Sequence, residues 1–354
     1  MIEVGRPWLE WVGYWTVTEA IKPPIVTVDV HSHIFVPESA ELVRPHFTPE
    51  KDPRTFFSAE ESKGYNLKYY EAAHDKFTDP QARLGDMDAA GIDIQAVALG
   101  PSQYFYWLDA DMAARVAAMQ NDRIAEVVSH SPSRFVGLGT LPMAHPQLAV
   151  REIDRIRRDL GFQGVEIGAD VDGGDLDDPR FDPVWSKLEE LEMLVVLHPA
   201  GFTEGRRLTD YYLVNVIGMP LSSTVAVSRM ILGGVFHRHP DLKMLVVHGG
   251  GYLTFYAART DHAYKHRPEL RQNIDRLPSE YLSRLYFDTT VFDPVMLEYL
   301  VGRYGADHVL LGTDYPYDMG LPDPLALIAD ARITDAEREL IAGGNACRLL
   351  NIAG

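Results

Sequence analysis

Short runs rich in Val, Ile and Leu recur along the chain, and each is followed by a stretch with helical apolar spacing. The runs are nearly continuous in apolar residues, which is typical of strands buried on both faces of a parallel sheet. There are eight such runs: residues 25–30, 92–99, 135–141, 164–167, 193–197, 243–247, 284–288 and 309–312. Eight strand and helix units in one chain predict an α/β fold of the (β/α)8 TIM barrel type.

The segments outside this pattern set the domain boundaries. Residues 1–24 precede the first run and are interpreted as an N-terminal extension, with residues 25–354 forming a single barrel domain. Residues 37–77 are polar and interrupted by Pro and Gly, so they predict a long loop after strand one, on the side where barrel enzymes build their sites. Asp79 and Gly91 are the expected ends of the helix that leads into strand two.

The composition and net charge of the chain exclude some classes of binding partner. The chain has 354 residues, is 46% hydrophobic and has a formal net charge of -18. Nucleic acid and anionic membranes would be repelled by the average field, so neither is expected as a partner. A small anionic substrate is compatible with this charge if basic residues are placed locally.

The chain also lacks the usual signals of export. Its first residues include acidic positions where a signal peptide needs basic ones, and no stretch looks long and apolar enough to span a bilayer. The single cysteine, Cys347, excludes an intrachain disulfide and a zinc site made of cysteines. We therefore expect a cytoplasmic protein in which any metal is held by His and carboxylate side chains.

Polar side chains with metal-binding chemistry fall at the ends of several predicted strands. His31 and His33 end the first strand two residues apart, so they point to the same face. His198, His248 and Asp314 end strands five, six and eight. Because the carboxyl ends of barrel strands meet around one mouth, these five side chains are expected to lie close together.

A lone histidine beside an apolar run is more often a hydrogen-bonded core residue than a ligand, but the coincidence of five favours a metal site. We assign His31, His33, His198 and Asp314 as ligands of one divalent metal. Three imidazoles and a carboxylate suit Zn²⁺ best, with Mn²⁺ and Fe²⁺ as alternatives and no organic cofactor expected. Asp29 has two interpretations, a partner of a ligand histidine or a cap for the chain turn.

The ordered set of motifs resembles the amidohydrolase superfamily, and within it the branch typified by 2-amino-3-carboxymuconate-6-semialdehyde decarboxylase. The landmarks are residues 29–33, residues 79–93 with the pattern Asp-Pro-x-x-Arg, residues 164–168, His198-Pro199, residues 248–251, residues 259–267 and residues 311–316. They cover nearly the whole chain from strand one onward.

The resemblance implies a role for each position that matches the family. The four assigned ligands correspond to those of a zinc ion that also carries a water. His248 corresponds to the histidine that acts as acid and base on that water, assisted by Asp314. An imidazole beside such a water can move a proton at neutral pH.

The resemblance also implies a substrate handle. Arg259 and Arg267 match two arginines that grip carboxylates, one of them from the neighbouring subunit, which implies a homodimer with a shared arginine. Spacing alone favours ordinary surface charges on a helix. A further arginine of the family, shortly before the Asp-Pro-x-x-Arg helix, has no counterpart here; Arg54, Lys63 or Lys68 are the candidates to replace it.

An aromatic cluster that includes Tyr104 and Trp107 follows the second strand. Its rings could stack on a planar conjugated substrate or pack beneath the long first loop. We assign both residues as substrate contacts.

These inferences predict a metal-dependent non-oxidative decarboxylase of an unsaturated or aromatic carboxylic acid, either aminocarboxymuconate semialdehyde-like or hydroxybenzoate-like, in aromatic catabolism. The alternative is a metal-dependent hydrolase or hydratase, because activated water that attacks a carbonyl or lactone needs the same ligands. A metal-stabilised binding or scaffold protein is disfavoured, since His248 and an open coordination position exceed what a structural zinc site needs.

Overall fold

A computed structural model describes residues 26–352 and shows eight parallel strands in a closed barrel. Each strand pairs with the next, and the ring closes where the Val30 amide donates to the Leu311 carbonyl at 3.0 Å. The strands are β1 Val28–Ile34, β2 Ile94–Leu99, β3 Phe135–Thr140, β4 Gly164–Ile167, β5 Leu194–Leu197, β6 Met244–Val246, β7 Tyr286–Asp288 and β8 Val309–Leu310. The TIM barrel prediction is confirmed, and the extension predicted at residues 1–24 lies outside the described residues.

Helices surround the barrel and build the loops at its carboxyl end. They are α1 Pro37–Val43, α2 Pro53–Phe56, α3 Glu60–Ala72, α4 His74–Thr78, α5 Pro80–Ala90, α6 Ala110–His130, α7 Pro146–Arg158, α8 Asp182–Glu190, α9 Leu213–Val216, α10 Gly218–Leu232, α11 Val235–Arg238, α12 Val247–Gly250, α13 Leu253–His266, α14 Pro278–Leu282, α15 Pro294–Tyr304, α16 Pro324–Asp330, α17 Asp335–Glu339 and α18 Asn345–Leu349. The 3-10 helices are Arg44–His46, Pro49–Lys51, Pro101–Gln103, Pro179–Phe181, Gly205–Leu208, Pro268–Arg271 and Ala306–His308, and Leu340–Gly344 is a π-helix.

The segment predicted as a loop, residues 37–77, is mostly helical instead. It holds α1 to α3 and most of α4, and Pro37 and Pro53 each begin one of these helices. No residue of α3 is buried, so this helix lacks the apolar stripe by which a sequence pattern reveals a helix. The prediction of a loop was therefore wrong in structure, although the segment does lie at the carboxyl end of β1.

Helix α5 matches its sequence signals. The Asp79 side chain accepts from the Gln81 amide at 2.8 Å, Pro80 occupies the first turn, and Gly91 ends the helix with a φ of 70°. Glycine suits that left-handed position because it has no Cβ to clash. The helix therefore ends at Ala90, and three residues connect it to β2.

The strands separate two apolar layers. One layer fills the barrel interior with Val28, Val30, Ala96 and Leu194 among its members, and the other lies between the strands and the surrounding helices. Every residue of β1 is buried, as expected for a strand covered on both faces. Side chains at the carboxyl strand ends are therefore held by rigid elements.

One segment, Leu213–Leu232, is long and apolar enough by length and composition to cross a membrane. This corrects the expectation that the chain has no such stretch. Half of the segment is buried inside the protein, which is typical of a core helix, so it is weak support for a membrane span.

Candidate metal centre

A bulge in β1 aims the first two histidines at the barrel mouth. The pairing of β1 with β2 shifts between Asp29 and Ser32, where β1 carries one extra residue. Bulges of this kind redirect side chains and are common beside active sites. The imidazoles of His31 and His33 lie with their ring centroids 5.2 Å apart. The structure therefore brings the two rings together, as their two-residue spacing predicts.

The four predicted ligands converge at the carboxyl end of the barrel. His198 follows β5 and Asp314 follows β8, and one ligand atom from each of the four side chains lies within 4.8 Å of the others. Oδ1 of Asp314 is 3.4 Å from Nε2 of His31, 3.1 Å from Nε2 of His33 and 3.8 Å from Nε2 of His198. All four residues are buried. The cluster predicted from strand ends is thus present.

The ring nitrogens are arranged to bind a cation. Each Nδ1 has a hydrogen-bond acceptor within 2.6–2.9 Å: Asp288 Oδ2 for His31, the Leu99 carbonyl for His33 and the Pro199 carbonyl for His198. Such acceptors keep the proton on Nδ1 and leave Nε2 with a free lone pair. The three Nε2 atoms and Oδ1 of Asp314 are buried without a hydrogen-bond partner in residues 26–352. Because buried unpaired acceptors are costly, this donor set fits a divalent metal.

Without a metal, the electrostatics keep Asp314 ionised and His198 neutral, but they favour a second proton on His31. Burial disfavours the charged form of Asp314, but the imidazoles, His31 foremost, outweigh burial and hold the pKa of its carboxyl well below the usual range. Burial lowers the pKa of His198 well below its usual range, so this imidazole is neutral at neutral pH. Burial also disfavours charge on His31, yet the Asp314 carboxylate raises the pKa of His31 well above its usual range. Metal therefore competes with protons for these acceptors.

His248 lies beside the cluster without being part of it. Its Nε2 is 3.5 Å from Oδ2 of Asp314, and its ring centroid is 5.3 Å from that of His31 and 5.0 Å from that of His198. Its backbone φ is 56°, and that of Asp314 is 61°, so both residues adopt the left-handed conformation. The acid and base role of His248 stays a prediction, and the geometry places the imidazole next to the metal position.

A cavity of about 330 Å³ opens onto the cluster. Its lining includes His198, His248 and Asp314, together with Tyr70 and Tyr317 from the elements after β1 and β8. This volume is at the lower end of the range for small-molecule sites, about 300–1,000 Å³. The cavity therefore suits a compact substrate.

Arg54 is the one guanidinium in the cavity lining that the structure describes. It lies on α2, half-buried, with its guanidinium carbon 5.7 Å from the centroid of the Tyr317 ring. Within the described part of the chain, no carboxylate oxygen lies within 4.0 Å of a guanidinium nitrogen of Arg54, so Arg54 forms no ion pair there. Of the three basic residues considered as replacements for the missing arginine, Arg54 reaches the cavity, whereas Lys63 and Lys68 on α3 do not line it.

The other two predicted arginines lie elsewhere in this chain. Arg259 is exposed on α13, and Arg267 is exposed where α13 ends. Nε of Arg267 donates to Glu269 at 2.7 Å. The backbone of Arg267 is extended, so the two side chains do not continue one helical face. Neither residue lines the metal cavity, and their contact with a substrate stays a prediction that requires a second subunit.

Tyr104 and Trp107 line a second cavity of about 210 Å³ instead of the metal cavity. The chain after β2 forms a 3-10 turn, and the Tyr104 hydroxyl then donates to Oε1 of Glu166 on β4 at 2.8 Å. This contact directs the aromatic cluster toward β4. The geometry therefore does not support the predicted substrate contact of Tyr104 and Trp107, which stays a prediction.

Of the two interpretations of Asp29, the structure supports the cap of the chain turn and not the partner of a ligand histidine. The Asp29 carboxylate accepts from the backbone amides of His31 and Thr313 at 3.0 and 3.1 Å, so it caps the junction of β1 with the segment after β8. The ring partner is Asp288, whose carboxylate stays ionised because the His31 hydrogen bond outweighs burial and lowers its pKa to about 2. Asp288 ends the seventh predicted strand, so the strand-end rule could have found it.

Comparison with known proteins agrees with this site. A family model described as "Amidohydrolase" matches residues 28–352. The 2-amino-3-carboxymuconate-6-semialdehyde decarboxylase of Dictyostelium discoideum is 35% identical over 287 residues, which cover 80% of each chain. The γ-resorcylate decarboxylase of Rhizobium radiobacter is 28% identical over 301 residues, 81% of this chain and 91% of that protein.

A solved structure shares the architecture. The crystal structure of 5-carboxyvanillate decarboxylase from Sphingomonas paucimobilis superposes with a TM-score of 0.81 at 26% identity, and the match covers 93% of this chain and 100% of that one. The resemblance stated from the sequence is thereby confirmed, and this chain belongs to the amidohydrolase family.

Proposed function

We propose that this protein is a metal-dependent non-oxidative decarboxylase of an unsaturated or aromatic carboxylic acid. The observation that carries the proposal is the pairing, around one cavity, of a metal-binding cluster with Arg54, a guanidinium that forms no ion pair with a carboxylate of residues 26–352. Arginine binds carboxylates through paired hydrogen bonds. The relatives reported above are decarboxylases, which favours this reaction over hydrolysis or hydration by the same ligands.

The reaction breaks the bond between the carboxylate and the carbon that bears it. The electron pair passes into the conjugated system, CO₂ leaves, and a proton takes its place on that carbon. A bound divalent metal supplies Lewis-acid polarisation and lowers the pKa of water. Arg54 orients the carboxylate, and His248 with Asp314 holds and moves the proton, since Nε2 and Oδ2 are 3.5 Å apart.

The substrate we propose is either an aminocarboxymuconate semialdehyde-like acid or a hydroxybenzoate-like acid. Both are small, planar and conjugated, which suits a cavity of about 330 Å³ with Tyr70 and Tyr317 in its wall. The names of the relatives include both classes. This choice supports a place in the breakdown of aromatic compounds.

Zinc is the metal we propose, because three neutral imidazoles and one carboxylate form a donor set that zinc prefers. Manganese and ferrous iron accept similar ligands and are the alternatives. Reconstitution of the metal-free protein with each ion, followed by measurement of affinity and turnover, distinguishes them. Zinc is rejected if manganese or iron gives higher turnover at full occupancy.

We also propose a homodimer in which an arginine of one subunit completes the cavity of the other. The exposed side chains of Tyr252, Phe255 and Phe292 line the cavity, and exposed apolar side chains grouped in this way mark interaction surfaces. Arg259 is four residues after Phe255 on α13 and so shares its face. Light scattering tests the dimer, and mixing Arg259→Ala with a His198→Ala variant tests sharing, because only mixed dimers regain one intact site.

A cytoplasmic location is proposed from the single cysteine, since a chain with one thiol gains no intrachain disulfide from an oxidising compartment. Cell fractionation tests this location. Recovery of the protein in a secreted or membrane fraction would contradict it.

Release of CO₂ is the test of the reaction. The Zn²⁺-loaded protein is incubated with 2-amino-3-carboxymuconate-6-semialdehyde and, separately, with 2,6-dihydroxybenzoate, in H₂¹⁸O and in D₂O. We expect CO₂ in equal amount to product and one deuterium on the carbon that lost the carboxylate. Product that carries ¹⁸O from water without CO₂ would identify a hydrolase or hydratase and reject the proposal.

A further inference from the structure

One carboxylate, that of Asp288, connects the ligand His31 to the turn that carries His248. Asp288 ends β7 and is fully buried. Its Oδ2 accepts from Nδ1 of His31 at 2.6 Å and from the Thr290 hydroxyl at 2.7 Å. Its Oδ1 accepts from the Gly249 amide at 2.7 Å. Each of these contacts requires an oxygen that accepts a hydrogen bond.

The hydrogen bond between Nδ1 of His31 and Asp288 decides which nitrogen of His31 carries the proton. Because Oδ2 is an acceptor, the proton of the neutral His31 ring stays on Nδ1, and Nε2 is left with the lone pair that a metal needs. A group that donated a hydrogen bond to Nδ1 would move the proton to Nε2. The ring would then be unable to bind metal through that atom.

The hydrogen bond from the Gly249 amide to Asp288 anchors the backbone next to His248. His248 and Gly249 have consecutive left-handed φ values of 56° and 59°, which form a sharp turn after β6. A Cβ on Gly249 would lie 2.4 Å from Cγ1 of Val291, so the turn is pressed against the segment after β7. The hydrogen bond from the Gly249 amide to Asp288 fixes the turn there, with the His248 ring beside that of His31.

We propose that Asp288 is a positioning residue that couples the metal ligand His31 to His248, one oxygen serving each. Through these two hydrogen bonds, the buried Asp288 side chain sets the distance between the metal position and His248. The turnover part of the test rests on the proposed decarboxylase, whereas the metal-affinity part does not.

Asp288→Asn separates the two contacts, because an amide offers one acceptor and one donor group where the carboxylate offers two acceptors. If the amide nitrogen faces His31, we expect Zn²⁺ affinity, measured by competition with a chromophoric chelator, to fall at least about tenfold. If it faces Gly249, two donors meet; Zn²⁺ affinity is then kept, and kcat at saturating metal falls by a similar factor with little change in KM.

Asp293→Asn is the matched control. The Asp293 carboxylate also accepts from a backbone amide, that of Val295 at 2.8 Å, but it caps α15 and touches no ligand. We expect the control to keep wild-type Zn²⁺ affinity and kcat. Unchanged affinity together with unchanged kcat in Asp288→Asn, at full folding by circular dichroism, overturns the proposal.

A measurement on the wild-type protein keeps the proposal open to refutation even if Asp288→Asn does not fold. Nitrogen-15 and proton NMR of the Zn²⁺-loaded protein identifies the protonated nitrogen of His31. We expect a far-downfield proton on Nδ1, as a short hydrogen bond to a carboxylate gives. A His31 ring that carries its proton on Nε2, or binds Zn²⁺ through Nδ1, refutes the coupling.

Discussion

Arg54 is held by aromatic packing instead of by a carboxylate. Its guanidinium lies over the ring of Tyr317, which in turn lies 6.2 Å from the ring of Tyr70. Stacking of this kind fixes the plane of a guanidinium while leaving its N–H groups available. Asp52 and Asp318 interact electrostatically with Arg54 without forming an ion pair with it, so its N–H groups are available for a substrate carboxylate.

Arg54→Met tests this residue. Methionine keeps the apolar stem but removes the charge, so we expect kcat/KM to fall by about 10- to 100-fold, the equivalent of a lost charge-assisted hydrogen bond of about 1.5–3 kcal/mol. Zn²⁺ affinity should not change, because Arg54 contacts no ligand. Arg44→Met is the control: Arg44 is highly exposed and pairs with Glu41. Equal kcat/KM for wild type and Arg54→Met would exclude Arg54 from substrate binding.

At the scale of elements, helix α5 supports the strand that carries the first two ligands. Arg83 on α5 is 1% exposed, donates to the His33 carbonyl at 2.6 Å and to the Ser32 hydroxyl at 2.9 Å, and stacks on the ring of Tyr315. It also donates to Oε1 of Gln95 at 2.6 Å. Burial lowers the pKa of Arg83 to about 10, so it stays charged at neutral pH. One side chain thus fastens the bulged part of β1.

Arg83→Met should destabilise the fold strongly. It leaves buried acceptors of β1 and β2 without donors, at about 1–3 kcal/mol each, so we expect the free energy of unfolding to fall by about 3 kcal/mol or more. Urea denaturation followed by circular dichroism measures this change. Arg134→Met is the comparison, because Arg134 also donates to backbone carbonyls of the β2 region but is less buried, and its loss should cost less. A smaller loss for Arg83→Met than for Arg134→Met would contradict the assignment.

Local rules account for what could be predicted at this scale. The two-residue period placed His31 and His33 on one face, and the convergence of strand ends brought His198 and Asp314 to them. The position of Arg54 could not be predicted, because it depends on contact between distant parts of the chain. A Cβ on Gly201, after β5, would lie 2.8 Å from the Arg54 backbone nitrogen. The pattern of apolar and polar residues in residues 37–77 does not predict such a contact.

At the scale of the whole molecule, the metal cluster lies at the end of a barrel that is complete without it. The interior layer and the layer beneath the helices consist of apolar side chains, and backbone hydrogen bonds close the ring of strands. None of these contacts includes a ligand imidazole or the Asp314 carboxylate. The fold is therefore expected to persist without metal.

Removal of metal by chelation should abolish turnover and leave the far-ultraviolet circular dichroism spectrum unchanged. Metal binds only the folded state and therefore stabilises it. We expect the free energy of unfolding of the metal-free protein to be about 2.7 kcal/mol lower than that of protein in free Zn²⁺ at 100 times the dissociation constant. Addition of Zn²⁺ should restore both quantities. Loss of the barrel spectrum on chelation would indicate a structural metal instead.

The left-handed backbone of His248 and Asp314 predicts which substitutions occur at these positions in relatives of this protein. Residues other than glycine adopt φ values near 56° and 61° at a cost of about 1 kcal/mol or more, although His and Asp are among those that tolerate it best. In a duplicated gene freed from its reaction, glycine can replace either residue, because glycine adopts these φ values without strain. Glycine at position 248 or 314 is therefore the expected mark of a relative that keeps the barrel and has lost the chemistry.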